Sequence, residues 1–245
     1  MSCSPERPCP IYLEITAVEP VGTRVFLTGN LHTDTVTLYS VLLASEDSGK
    51  TWREAYERIR QAGLDQIQFV DFEAGWISGQ VLQTVPRDPF FLITGDGGRT
   101  WRRRPVYGES RAGTVENFSF ESRTAGAMIL DRVQTGEGGG RYARYETLTG
   151  GDTWMIREVS AKPMALKRTH LPNTDWRVEP HAATKSFRVE RRQGEAWQLV
   201  ASFLVQAGEC KPEERPLEPP PEPPKPPEPV PAQTKQPPTL KKKKQ

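Results

Sequence analysis

Ser45-Glu46-Asp47-Ser48-Gly49-Lys50-Thr51-Trp52 governs the reading of the whole chain, because its pattern returns as Thr94-Gly95-Asp96-Gly97-Gly98-Arg99-Thr100-Trp101. A third copy, Thr147-Leu148-Thr149-Gly150-Gly151-Asp152-Thr153-Trp154, keeps every fixed position but one: Thr149 stands where the first two carry aspartate. A fourth, ending in Gly194-Glu195-Ala196-Trp197, keeps only the glycine and the tryptophan. The four tryptophans are spaced by 49, 53 and 43 residues, near the range in which a repeat marks a propeller blade or a solenoid unit.

The pattern has a physical reason. A tight hairpin needs a short polar side chain that bonds its own backbone, supplied by Asp47 and Asp96. It also needs a residue free to adopt positive φ, supplied by Gly49 and Gly98. A β-branched threonine (Thr51, Thr100, Thr153) then re-enters the pleat, and the tryptophan buries a large ring. Ser45, Thr94 and Thr147 open the three boxes, and Gly151 holds the glycine position of the third. All of these are expected to be structural residues, not catalytic ones.

S/T-x-D-x-G-x-T-W resembles the Asp-box, or BNR, repeat of sialidase-like β-propellers. In the second repeat, Gly75-Trp76-Ile77-Ser78-Gly79 followed by the Thr94–Trp101 box is similar to the photosystem II stability/assembly-factor family. The resemblance covers residues 11–205 and implies a non-enzymatic propeller that holds or chaperones other proteins. A sialidase-like glycoside hydrolase, or a carbohydrate-binding propeller without turnover, is the rival reading. Such hydrolases need an arginine triad on the substrate carboxylate, an acid/base aspartate and a tyrosine nucleophile. Before Ser45 the chain supplies only Arg7 and Arg24, and the Arg-Ile-Pro segment of that family is missing.

Strand periodicity fills in the repeats. Ile11, Leu13 and Ile15 alternate onto one face of a first strand, followed by Arg24–Gly29, Val36–Ser45 and a short strand at Trp52. Trp52, Ala55, Tyr56 and Ile59 also sit at helical spacing. The second repeat reads 66–70, 75–82, 90–94 and 101–107, with Pro86 and Pro89 marking a loop. The third reads 114–120, 127–132, 141–147 and 154–159, with Gly136–Gly140 as a flexible loop; the fourth reads 165–168, 176–179, 186–191 and 197–204. The expected fold is therefore all-β, about four blades of four antiparallel strands over residues 11–210. A ring closed at four blades is favoured over an open arc completed by a partner or second copy, and nothing obvious interlocks the termini.

The rest of the chain narrows the function classes. A net charge of +2 over 245 residues gives no strong nucleic-acid signal. Residues 1–10 show no basic and apolar leader and no stretch is long and apolar enough for a membrane span, so a cytoplasmic location is expected. His32, His170 and His181 match no zinc pattern and no phosphate loop appears, so neither metal nor cofactor is expected. Cys9 and Cys210 flank the repeats and would be brought close by ring closure, which makes a disulfide between them a minor expectation. Arg102, Arg103 and Arg104 form the densest basic run of the folded part, either a solvated strand edge or an anionic docking patch. From residue 211 onward 13 of the last 35 residues are proline, ending in Lys241–Lys244. That composition reads as a disordered polyproline tail, available to an aromatic groove or an anionic surface. A protein is the expected partner.

Overall fold

The computed structural model describes residues 8–132, 140–167 and 174–210. The chain divides into two units, Met1–Pro212 and Glu213–Gln245, and every described residue belongs to the first. The proline-rich tail, His170 and all of the glycine loop but Gly140 lie outside the described residues.

Four antiparallel sheets follow one another along the chain. Blade 1 is β1 (Cys9–Val21), β2 (Arg24–His32), β3 (Thr37–Ser45) and β4 (Arg53–Glu54). Blade 2 is β5 (Ala62–Phe69), β6 (Gly75–Leu82), β7 (Pro86–Thr94) and β8 (Arg102–Pro105). Blade 3 is β9 (Thr114–Phe120), β10 (Gly126–Asp131), β11 (Tyr142–Thr147) and β12 (Met155–Ser160). Blade 4 is β13 (Trp176–His181), β14 (Ser186–Gln193) and β15 (Ala196–Leu204), while β16 (Gln206–Cys210) crosses to pair with β1. One 3-10 turn, Ala182–Thr184, is the only helical element among the described residues. None of those residues forms a helix long and apolar enough to cross a membrane. The blades are those of a β-propeller, as the repeats predict.

Several local expectations are corrected. Pro86 and Pro89 do not form a loop but lie in β7, which tolerates them because the register is irregular there and Asp88 takes a positive φ of 50°. Residues 53–60 form no helix; Ala55, Tyr56 and Ile59 instead pack on the core from an irregular segment. The first strand expected in blade 4 does not form at 165–167, where the chain is irregular, and Arg168 lies outside the described residues. The termini do interlock, through β16 on β1, where Cys9 and Cys210 are Cα partners. They are nevertheless not joined to each other: Cys9 is disulfide-bonded while Cys210 carries a free thiol.

Three hydrophobic clusters hold the blades together. One joins blades 1 and 2 (Phe26, Leu42, Phe90, Leu92, Trp101), one blades 2 and 3 (Trp76, Phe91, Phe120, Met128) and one blades 4 and 1 (Leu13, Val25, Trp176, Val189). Among the described residues no cluster joins blade 3 to blade 4. The spatial order is thus 4-1-2-3, an arc with one open joint.

The register shows why that joint is open. Towards the next blade, blade 1 presents Phe26 and Leu42 and blade 2 presents Trp76 and Phe91. At the same register positions blade 3 carries Ala127 and Arg144, and the neighbouring Glu146 bonds Arg144 at 2.9 Å and Arg157 at 3.0 Å. On the other side of the gap, Arg177 and Arg188 approach the buried Glu190 at 2.7 and 3.3 Å. Charged groups thus stand where the sealed joints carry aromatic rings, although Ile129 of blade 3 and Leu199 and Trp197 of blade 4 share these faces.

Candidate functional site

The first two boxes are built alike. Asp47 Oδ1 accepts from Ser45 Oγ (2.8 Å), Lys50 N (3.0 Å) and Thr51 N (2.9 Å), and its Oδ2 accepts from Thr51 Oγ1 (2.7 Å). Asp96 repeats the set with Thr94 Oγ1 (2.9 Å), Thr100 N (2.9 Å) and Thr100 Oγ1 (2.7 Å). Gly49 N and Gly98 N donate to the opening hydroxyl of each box, at 2.7 and 2.9 Å. The bonds from Thr51 and Ser45 hold the Asp47 carboxyl down at about 2. Burial works the other way at Asp96, but the bonds from Thr100 and Thr94 outweigh it and this carboxyl also lies at about 2. In the third box one hydroxyl does the work of the carboxylate: Thr149 Oγ1 accepts from Thr153 N at 2.9 Å and meets Thr147 Oγ1 at 3.2 Å. Gly151 N again donates to the opening hydroxyl, at 3.1 Å.

Each box also seals a joint. Gly49 (φ +89°) and Gly98 (φ +81°) are required twice over, for their φ and because a Cβ would lie 2.3 Å from Val200 and 2.4 Å from Phe26 of the neighbouring blade. Trp52 meets Phe203 of blade 4 edge-on, Trp101 meets Phe26 of blade 1, and Trp154 stacks on Phe91 of blade 2. Box n thus packs on the blade before it in the arc. The fourth copy is a two-residue turn, with Gln193 opposite Ala196. A Cβ on Gly194 would meet nothing within 4 Å, and Trp197 lies under Arg177 at 4.3 Å on the face turned to the gap.

The arginine run has internal partners. Arg102 and Arg104 each reach Asp152 of the third box at 3.0 Å, clasping blade 2 to blade 3, and Arg103 covers the Phe90 ring at 4.1 Å. Arg123 makes a second clasp between the same blades, to Asp71 and Glu73 at 2.7 Å. Arg24 donates to the carbonyls of Gly97 and of Phe72 in blade 2.

A different set of polar groups gathers on the first strands, which approach one another along the inner edge of the arc. Glu14 of β1 accepts from Asn30 Nδ2 at 2.8 Å. Asp65 of β5 accepts from Gln80 Nε2 at 2.7 Å, and its main-chain carbonyl accepts from Thr28 Oγ1 at 3.3 Å. Burial raises the Asp65 carboxyl above its ordinary value, the Gln80 bond offsets part of this, and the Glu14 charge raises it further. Sequence patterning missed this row. Glu14, Asp65 and Gln80 are isolated polar residues in strands, and only their side of the pleat, opposite Leu13 and Leu64, hints at a shared surface. Among the described residues no group of three His, Cys, Asp or Glu side chains could hold a metal ion.

No family model matches the chain, and no curated protein matches it. Solved structures do. YCF48 bound to D1 peptide is 20% identical with a TM-score of 0.45, over 78% of this chain and 56% of that one. The GH74 xyloglucanase of Xanthomonas campestris is 14% identical with a TM-score of 0.40, over 55% of this chain and 18% of that one. The Penicillium chrysogenum alpha-L-arabinanase complexed with arabinobiose is 14% identical with a TM-score of 0.39, over 79% and 61%. The chain spans about half the length of the first of these and less than two thirds of the third.

Proposed function

We propose that this chain is a non-enzymatic binding scaffold whose ligand is a protein. The observation that carries this reading is how the box aspartates and the arginines near them are employed. The box aspartates are filled by donors of their own turns, and Arg24, Arg102 and Arg104 are held by the neighbouring blade. On the inner edge of the arc, by contrast, Gln80 Oε1 is a buried acceptor without a partner, and the β2–β3 and β6–β7 hairpins expose Val36 and Val85. Unpaired polar atoms beside accessible apolar surface favour recognition of another molecule.

Affinity capture from the source organism, with the full chain and with a chain ending at Lys211, tests the proposal. A reproducible protein partner kept by the shorter chain supports it and places the site on the blades. A partner lost with the tail moves the function to the proline-rich segment. No partner with either chain, together with hydrolysis of a sialidase substrate or binding on a glycan array, overturns it.

A further inference from the structure

Glu14 and Asp65 interact electrostatically with each other, yet among the described residues neither forms an ion pair. Most of the other carboxylates at blade joints have an arginine within reach, as at Asp71, Glu73 and Asp152. Two neighbouring like charges with no counter-charge, one of them half-buried, are costly unless a cation completes them.

Two further observations point to a ligand. Gln80 is 5% exposed and its Nε2 is spent on Asp65, while the Oε1 of the same amide is buried without a hydrogen-bond partner beside that carboxylate. An orphaned buried acceptor next to an uncompensated carboxylate is what a missing donor leaves behind. The row also opens into a cavity of about 230 Å³, walled by Glu14, Asn30, Thr33, Thr35 and Leu82. Asn30 links the two, lying near Gly63, the strand partner of Gln80. His32, Thr37 and Val36 complete its wall; Val36 is 55% exposed, and Val85, of the hairpin that carries Leu82, is 41% exposed.

The geometry points to a receptor site for a lysine or arginine side chain of an extended partner segment, its charged head between Glu14 and Asp65 and its flanking apolar residues on Val36 and Val85. The inference rests on the scaffold reading and names the chemistry that the scaffold recognises. A protonated amine or guanidinium supplies the donors that Asp65, Glu14 and Gln80 Oε1 lack. The cavity suits one long basic side chain in size. Exposed Val36 and Val85 favour a peptide over a free polyamine, which has no apolar flanks to cover them.

The test is selection of random heptapeptides displayed on phage against the full chain, followed by anisotropy titration of the labelled winners. The expected result is a lysine or arginine at one fixed position, with binding weakened at least about tenfold when that residue is made norleucine or citrulline. The double variant Glu14→Gln, Asp65→Asn should lose affinity by a similar factor. Both substitutions keep an acceptor for Asn30 and Gln80, so an unchanged melting temperature certifies the fold. Glu109→Gln, at a carboxylate whose side chain is 82% exposed, should bind as the unsubstituted chain does. Winners without a basic residue, or winners that bind the double variant equally, overturn the site and leave the scaffold reading standing. Failure to select any peptide also overturns the site, and partner capture then decides the scaffold reading separately.

Discussion

Trp101→Ala removes the ring that the second box inserts between blades 1 and 2. The indole is 8% exposed and meets Phe26 and Phe69 edge-on, with centroids 5.9 Å away from each. Its Nε1 has no hydrogen-bond partner, so the substitution breaks no polar bond and the loss is one of burial and packing. Burial of this kind costs about 3–5 kcal/mol when a tryptophan becomes alanine and its surroundings cannot collapse. Trp197→Ala provides the contrast, because Trp197 faces the open joint and lies under the Arg177 guanidinium; its loss should stay below about 1 kcal/mol. Urea titration followed by circular dichroism measures both, with an unchanged m-value certifying that the same cooperative unit unfolds. A cost below about 1 kcal/mol for Trp101→Ala, or equal costs for the two variants, would refute the claim that boxes seal joints and that the fourth joint lacks a seal.

Other consequences follow from single contacts. Thr149→Asp restores the carboxylate of the first two boxes and should stabilise the fold by about 0.5–1 kcal/mol, read as a raised Tm. Asp47 and Asp96 have folded-state values near 2, below their unfolded values. Their stabilisation is therefore present above about pH 4 and disappears as the pH falls towards 2, a loss that Asp96→Asn should blunt in acid unfolding. Glu19, opposite Phe26 in the blade 1–2 joint, behaves in the reverse sense: burial pushes it up to about 7 despite the bond from Phe69 N. The unfolded chain releases this proton first, so stability declines between about pH 4.5 and 7. Glu19→Gln should add up to about 3 kcal/mol at pH 8 and little at pH 4, measured as the difference in denaturation midpoint. In protein purified without reductant, iodoacetamide should label Cys210 and spare Cys9, as peptide mass mapping would show.

Much of the fold is legible because the box ties sequence to geometry at short range. Asp47, Gly49, Thr51 and Trp52 each have a local job, so a pattern of eight residues places a hairpin, and three such hairpins place three blades. Strand bounds such as 75–82 and 114–120 match those expected from the repeats. The open joint is harder to read. It depends on Arg144 and Glu146 standing where Phe91 and Ile93 stand one blade earlier, an exchange that becomes visible only when the registers of two sheets are laid side by side. The pairing of β16 with β1 was not legible for a related reason: Gln206–Cys210 has no apolar alternation, and its partner lies almost two hundred residues away. The arginine run shows the same limit, since its partner Asp152 comes from the next blade. The inner-edge carboxylates belong to different blades and gain meaning only from their proximity.

The open arc is tested most directly by hydroxyl-radical footprinting of the native chain. Trp76 and Trp101, at 1% and 8% exposure, should resist oxidation, while Leu199, at 51%, and its neighbour Trp197 on the gap-facing side of blade 4 should react readily. Met155, at 50% exposure on blade 3, should react with them. Protection of Trp197 and Leu199 to the level of Trp101 would contradict the account, because it would mean that blade 4 is covered on the face where blade 3 carries Arg144 and Glu146 in place of the aromatic pair of a sealed joint.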